Sequence, residues 1–218
     1  MYRLFLSGGL AIYPDKSAYI CVEESPVLWY YYIDMNYYAV QVRTLKEEAY
    51  IASISRQLED TEIKIQFLFP KRRLIIRRQG EQVNELMPLF PGYVFIETEK
   101  LSTELYNVAR SARYFSRFLP NNQNICSLSG KDLAVLKHFI GFGAVAESSK
   151  VYFDENDRIV VTSGPLHGLE GSIVKVDRRK HRAKVKLDFA NECFLLDLAF
   201  DIIGKNTVSD GGCHDSTE

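Results

Sequence analysis

The segment 156–204 constrains the fold most, because it carries strand and turn signals and no helical period. A unit that small buries enough apolar surface by closing its sheet, which also removes bare strand edges. Its clearest strand is "RAKVKLDF", where Ala183, Val185, Leu187 and Phe189 share one face and Arg182, Lys184 and Lys186 the other. Ahead of it, "RIVVTSGP" reads as a strand ending in a Gly-Pro turn, with "GSIVKV" as its expected partner and "VDRRKH" as a basic turn.

An inward apolar face leaves the cations in a row outside. Lys175, Arg178, Arg179, Lys180, Arg182, Lys184 and Lys186, with His181 among them, share the segment 175–186 with one acid, Asp177. The whole chain has a formal net charge of −1, so this is a local concentration and not general basicity. A charge run is most often a solvated surface. Here, however, the balancing acids come only beyond it, at Asp188, Glu192, Asp197 and Asp201. Crowded cations repel one another, and a polyanion relieves that repulsion through counterion release. The patch is therefore a candidate nucleic-acid site. Without aromatic platforms in the turn, it suits a duplex backbone better than stacked single-stranded bases.

Residues 35–142 mix both periodicities. "YYAVQV" reads as a strand, and Thr44 and Glu47 form a capping box for a helix with Ile51, Ile54 and Leu58 on one face. "EIKIQFLFP" reads as a strand, "RLIIRRQGEQVNELM" as a hairpin turning near Gln79 and Gly80, and "GYVFIET" as a further strand. A helix from Ser102 carries Leu105, Val108, Ala109 and Ala112 on one face, "YFSRFL" is a short strand, and a helix from Ser129 points Leu133, Leu136 and Ile140 inward. Strands and helices mixed on this scale predict an α+β domain. Residues 143–155, "GAVAESSKVYFDE", are expected as a linker. Residues 1–34 are expected as an N-terminal extension, disordered or lying ahead of a native start at Met35, and 205–218 as a disordered tail.

One turn in the first domain stands out. In "LFPGYVFIE", Pro91 fixes a backbone angle and Gly92 permits a sharp entry into the strand, which sets Phe90 and Tyr93 at the sheet edge near Tyr37 or Tyr38. These aromatics are either core or an apolar groove for the tip of a partner's helix, and the residues alone leave both open.

Other chemistry finds no support. There is no phosphate loop, nucleophile elbow or metal-ligand spacing, so no enzyme, cofactor or metal is expected. His138, His167, His181 and His214 are scattered, and His138 reads as an ordinary helix residue. Cys21, Cys126, Cys193 and Cys213 form no C-x-x-C pair and suit reduced thiols in a cytoplasmic protein. No apolar run is long enough to span a bilayer, and the apolar start is broken by Gly8 and Gly9, so no membrane partner is expected.

"YYAVQVRTLKEEAYIASI", "PLFPGYVFIET" and "VARSARYFSRFLP", in this order, resemble the NusG N-terminal (NGN) domain, and "DRIVVTSGPLHGLEGSIVKVDRR" resembles its KOW domain. The likeness runs from about Met35 to Gly204, and the run "GPLHGLEGSIVKVDRRKHRAKVKLDF" resembles most closely specialised NusG paralogues of the LoaP type. It implies an antiparallel sheet flanked by helices over 35–142, a linker, and a small all-β SH3-like KOW barrel over 156–204. It also implies a monomeric factor for transcription elongation and antitermination. By position, Tyr37, Tyr38, Phe90, Pro91 and Tyr93 would dock on the clamp helices of RNA polymerase, with Tyr37 standing where the housekeeping pattern has Trp. The basic strand and turn would hold a nascent RNA hairpin, promoting read-through of terminators in specific operons. The alternative within the family is a general elongation and termination factor whose KOW domain contacts Rho or the ribosome. A rival of another class is a KOW-bearing ribosomal protein, against which the aromatic turn argues.

Overall fold

Alternation in "NYYAVQV" divides the first strand between two cores. The computed structural model describes residues 35–59 and 61–203. The expectations for 1–34 and 205–218, with Cys21, Cys213 and His214, lie outside the described residues. In chain order, β1 (Asn36–Val42) is followed by α1 (Glu47–Leu58), β2 (Gln66–Leu68), β3 (Lys71–Arg78), β4 (Glu81–Pro88), β5 (Tyr93–Thr98), α2 (Thr103–Ser111), β6 (Phe115–Phe118) and α3 (Gly130–Ile140). Then come β7 (Val145–Ala146), β8 (Ser149–Phe153), β9 (Ile159–Ser163), β10 (Ile173–Asp177), β11 (Arg182–Phe189) and β12 (Glu192–Ile202). The whole is mixed α and β.

The first sheet is antiparallel, in the order β2-β5-β1-β6. On one face, Val40, Val42, Val94, Ile96 and Phe118 pack with Tyr50, Ile54 and Leu58 of α1 and Leu105 and Ala109 of α2. Ser102 caps α2 by accepting the Leu105 amide at 3.1 Å. The opposite face carries Ala39, Tyr93 and Phe95, joined by Leu136 and Phe139 of α3. Separately, β3 and β4 form a hairpin whose turn residues, Gln79 and Gly80, both have positive φ (52° and 92°).

The capping box does not form. Lys46, without a side-chain bond, is the N-cap of α1, and Glu47 is buried with Oε1 accepting the Gly92 amide at 2.7 Å. The Phe90–Tyr93 turn holds Gly92 at φ +81°, where a Cβ would lie 3.1 Å from Thr44 Oγ1. Its amide therefore points into the protein, and Glu47 is the acceptor within reach. Replacing Glu47 with Ala should orphan that buried donor and cost about 1–3 kcal/mol. Glu47→Gln keeps an acceptor and should recover most of the loss; urea midpoints of the two variants compare them.

The last sheet runs β10-β11-β12-β8-β9, antiparallel except where β12 meets β8. Two expectations are corrected here. The segment 143–155 holds β7, which extends the β3–β4 hairpin through Lys71↔Val145, and β8, which pairs with β9. Accordingly β10 pairs with β11 and not with β9. The connection after β9 is pinned by buried Leu166, whose amide donates to Ser149 Oγ at 2.9 Å, so the chain cannot fold straight back. A further strand, β12, is reached through a turn at Ala190 and Asn191, both at positive φ (53° and 61°). Val151, Val161, Leu166, Ala183, Val185, Leu187, Phe189, Leu196, Leu198 and Phe200 fill the apolar face of this sheet.

Candidate functional site

The aromatic turn is covered. Phe90 and Tyr93 are 1% and 2% exposed. The Phe90 ring lies 5.0 Å from Phe189 and 5.7 Å from Phe194, and that of Tyr93 lies 5.8 and 5.9 Å from the same two. Phe95 and Phe139 complete the cluster at 5.5 and 6.0 Å from Phe90. Edge-on and tilted packing of this kind suits the ring quadrupoles. One apolar core thus runs from the first sheet through α3 into the last. Burial pushes the Tyr93 hydroxyl up to about 12, with the Glu192 carboxylate adding to the shift. That hydroxyl makes no bond of good geometry, although the Arg117 guanidinium also acts on it.

Polar contacts hold the same joint. Asp132 Oδ1 on α3 accepts the Ala190 amide at 3.1 Å, and His138 Nε2 donates to the Pro165 carbonyl at 2.8 Å. On the hairpin side, Arg182 Nη2 donates to the Ile75 carbonyl.

Of the polymerase-docking candidates, the structure brings Phe90 and Tyr93 together beneath Phe189, where an exposed groove was one expectation. Tyr37 shares their face, its hydroxyl donating to Glu97 Oε1 at 2.8 Å and its ring under Lys137 Nζ at 5.7 Å. Pro91 is exposed. Tyr38 packs against the other core, because neighbours on a strand face opposite ways, and so it cannot join this cluster.

Among the nucleic-acid candidates, alternation along β11 is complete. Ala183, Val185, Leu187 and Phe189 are buried, Lys186 is exposed, and Arg182 and Lys184 are half-buried. The cations differ in their partners. Arg178 Nη2 donates to the Asp157 carbonyl and carboxylate at 3.0 Å each, with its guanidinium 3.7 Å from the centre of the Phe153 ring. Lys180 lies 4.0 Å from Asp177, and Lys184 lies 3.5 Å from Asp197. His181 stacks on Phe200 at 5.9 Å and serves the turn. Lys175, Arg179 and Lys186 have no ion pair among the described residues. Neither Asp188 nor Glu192 pairs with any of these cations, so the neutralising acids are Asp157, Asp177 and Asp197. The Asp177 carboxyl is held below its usual range by the Lys180 amide and, beyond that, by Lys180, Arg179 and Lys175.

The sequence reading missed Phe194, Asp132 and His138 as parts of this joint, and with them Arg72, buried on β3 within electrostatic reach of Asp197 and Arg182. Only Phe194 left a signal: it continues the inward series Leu196, Leu198, Phe200 past the end of the sheet's own core. Among the described residues, no cluster of His, Cys, Asp or Glu could hold a metal, and no helix is long and apolar enough to cross a membrane.

A family model described as "Transcription termination factor nusG" matches residues 35–137. The transcription termination/antitermination protein NusG of Thermus thermophilus is 23% identical over 79% of this chain and 100% of its own length. The protein of the same name from Deinococcus radiodurans is 25% identical over the same shares. A solved structure titled "Domain interaction in Thermotoga maritima NusG" superposes with a TM-score of 0.50 at 24% identity, covering 77% of this chain and 94% of that one.

Proposed function

We propose that this chain is a NusG-type transcription termination/antitermination factor of the specialised, LoaP-like kind, a reading supported by the family model that matches residues 35–137 and by the NusG proteins the chain resembles along their length. The supporting observation is the Phe90–Tyr93 turn, a rigid aromatic element on one face of the family-matched domain. Tyr37, Phe90, Pro91 and Tyr93 dock on the clamp helices of RNA polymerase. The last sheet acts as an SH3-like KOW barrel, and its outward cations, with Lys175, Arg179 and Lys186 unpaired, hold a hairpin in the nascent transcript. A factor that prefers the closed, elongating polymerase needs differential affinity and no chemistry.

The described arrangement bears on that activity. With Phe189 and Phe194 over Phe90 and Tyr93, docking requires the two sheets to part. The apparent affinity for polymerase is then the intrinsic affinity scaled by the open fraction.

Binding of the full chain to RNA polymerase and to a duplex RNA hairpin tests both halves. Arg179→Ala with Lys186→Ala should weaken hairpin binding roughly tenfold and flatten the salt slope by about two units, leaving polymerase binding unchanged. Asp132→Ala with His138→Ala should strengthen polymerase binding severalfold by loosening the joint. Hairpin binding that ignores the first pair, or polymerase binding that falls with the second in a folded protein, overturns the corresponding half.

A further inference from the structure

A cavity of about 140 Å³ opens on the basic sheet, bounded by Lys175 and Asp177 of β10, Lys180 of the turn, Arg182 and Lys184 of β11, and Asp197 of β12. We propose that this cavity is a phosphate-binding site, seating one phosphate group among Lys175, Lys180, Arg182 and Lys184.

Register brings these groups together. Lys175 stands opposite Lys184, and Lys184 opposite Asp197, while Asp177 faces Arg182. Directly opposed lysines are unfavourable unless something anionic sits between or above them. Four cations against two carboxylates leave two positive charges, enough to offset the single negative charge of a backbone phosphodiester or the two of a free phosphate dianion. Both carboxylates are already engaged: Asp177 accepts the Lys180 amide at 2.9 Å, and Asp197 lies 3.5 Å from Lys184.

Unused donors make the stronger case. Arg182 spends Nη2 on the Ile75 carbonyl, yet its Nε is buried with no partner. Arg72 of β3, only 8% exposed, leaves both Nε and Nη1 without partners. The two guanidinia act on each other: Arg182 and, above all, burial make Arg72 less willing to hold its charge, with Asp197 opposing them. Native proteins rarely leave buried donors unmet, and a guanidinium fork matches tetrahedral oxyanion oxygens. A phosphate in the cavity meets the guanidinium of Arg182, which lines it, while Arg72, outside the lining, adds its charge through Asp197 and Arg182.

The phosphate can come from an RNA backbone or from free phosphate. The first source rests on the hairpin reading above; the site itself does not. Inorganic phosphate, titrated into the full chain at constant ionic strength against chloride, should give saturable calorimetric binding. Lys175→Ala with Lys180→Ala removes two exposed side chains and should weaken it at least about tenfold. Asp177→Asn keeps an oxygen for the Lys180 amide and should tighten it severalfold. Arg56→Ala, which removes an exposed cation from the last turn of α1, should leave it unchanged. No saturable binding up to tens of millimolar, or binding indifferent to the lysine pair and to Asp177→Asn, overturns the site. Displacement of bound phosphate by a duplex RNA hairpin assigns the phosphate to RNA. Saturable binding that RNA fails to displace keeps the site and assigns it to free phosphate.

Discussion

Gly164→Ala should destabilise the last sheet by about 2–4 kcal/mol, as a drop in urea midpoint with the loss concentrated there. Gly164 sits at φ +94°, and a Cβ there would lie 2.6 Å from Ser149 Cα and 2.9 Å from Ser149 Oγ. The obstacle is backbone, which a rotamer change cannot clear. Ser149 is fully buried at the start of β8, and its Oγ accepts the Leu166 amide that pins the connection after β9. A shift of that strand therefore breaks the bond and the β8–β9 ladder together. Gly168→Ala is the control: its φ is +83°, but nothing lies within 4 Å of its Cβ position, so only the backbone penalty of about 1 kcal/mol applies. Equal losses in the two variants would show that the collision is absorbed.

Phe189→Ala should cost about 3–5 kcal/mol, as expected for truncating a fully buried aromatic. Its ring lies 5.0, 5.8, 5.5 and 6.4 Å from those of Phe90, Tyr93, Phe95 and Phe194, so the space left cannot collapse onto a single neighbour. The same change also uncovers Tyr93. With its burial relieved, the Tyr93 hydroxyl should fall from about 12 toward the ordinary value of about 10, readable by ultraviolet titration of the folded variant. The sign follows from the direction of the shift. A raised folded-state pKa contributes stability that is full below the usual tyrosine range and is lost as pH rises toward 12. The variant should lose that part of its alkaline sensitivity. A Tyr93 that titrates as before in a folded Phe189→Ala protein would place the burial elsewhere. Because Phe90 shares the same cluster, replacing it should also disturb the last sheet, and the two domains are not separable by that mutation.

Much of the fold is legible wherever one periodicity runs unopposed. The strict alternation of β11, the apolar stripe and Ser102 cap of α2, and the two-residue turn at Gln79 and Gly80 all state their structure locally. Where a residue's partner lies far along the chain, reading fails. Glu47 looked like half of a capping box because Thr44 stands three residues before it, but its buried carboxylate meets Gly92 instead. β8 looked like a linker because polar Glu147, Ser148 and Ser149 precede a short apolar run. Ser149 is in fact a buried anchor, and Ser148 and Lys150 both donate to Asp201 of β12, which lowers that carboxyl.

On its own, the order of residues settled the α+β class of the first segment, the all-β character of the last, and the row of cations outside β11, because periodicity and charge act over a few residues. Which faces meet was decided only in three dimensions. Phe90 and Tyr93 read equally well as core or groove until Phe189 and Phe194 were seen to cover them. Arg72 carries no local sign of burial, yet it is buried within electrostatic reach of Asp197 and Arg182. Both outcomes depend on surfaces a hundred residues apart in the chain, and burial is a property of a pair of surfaces.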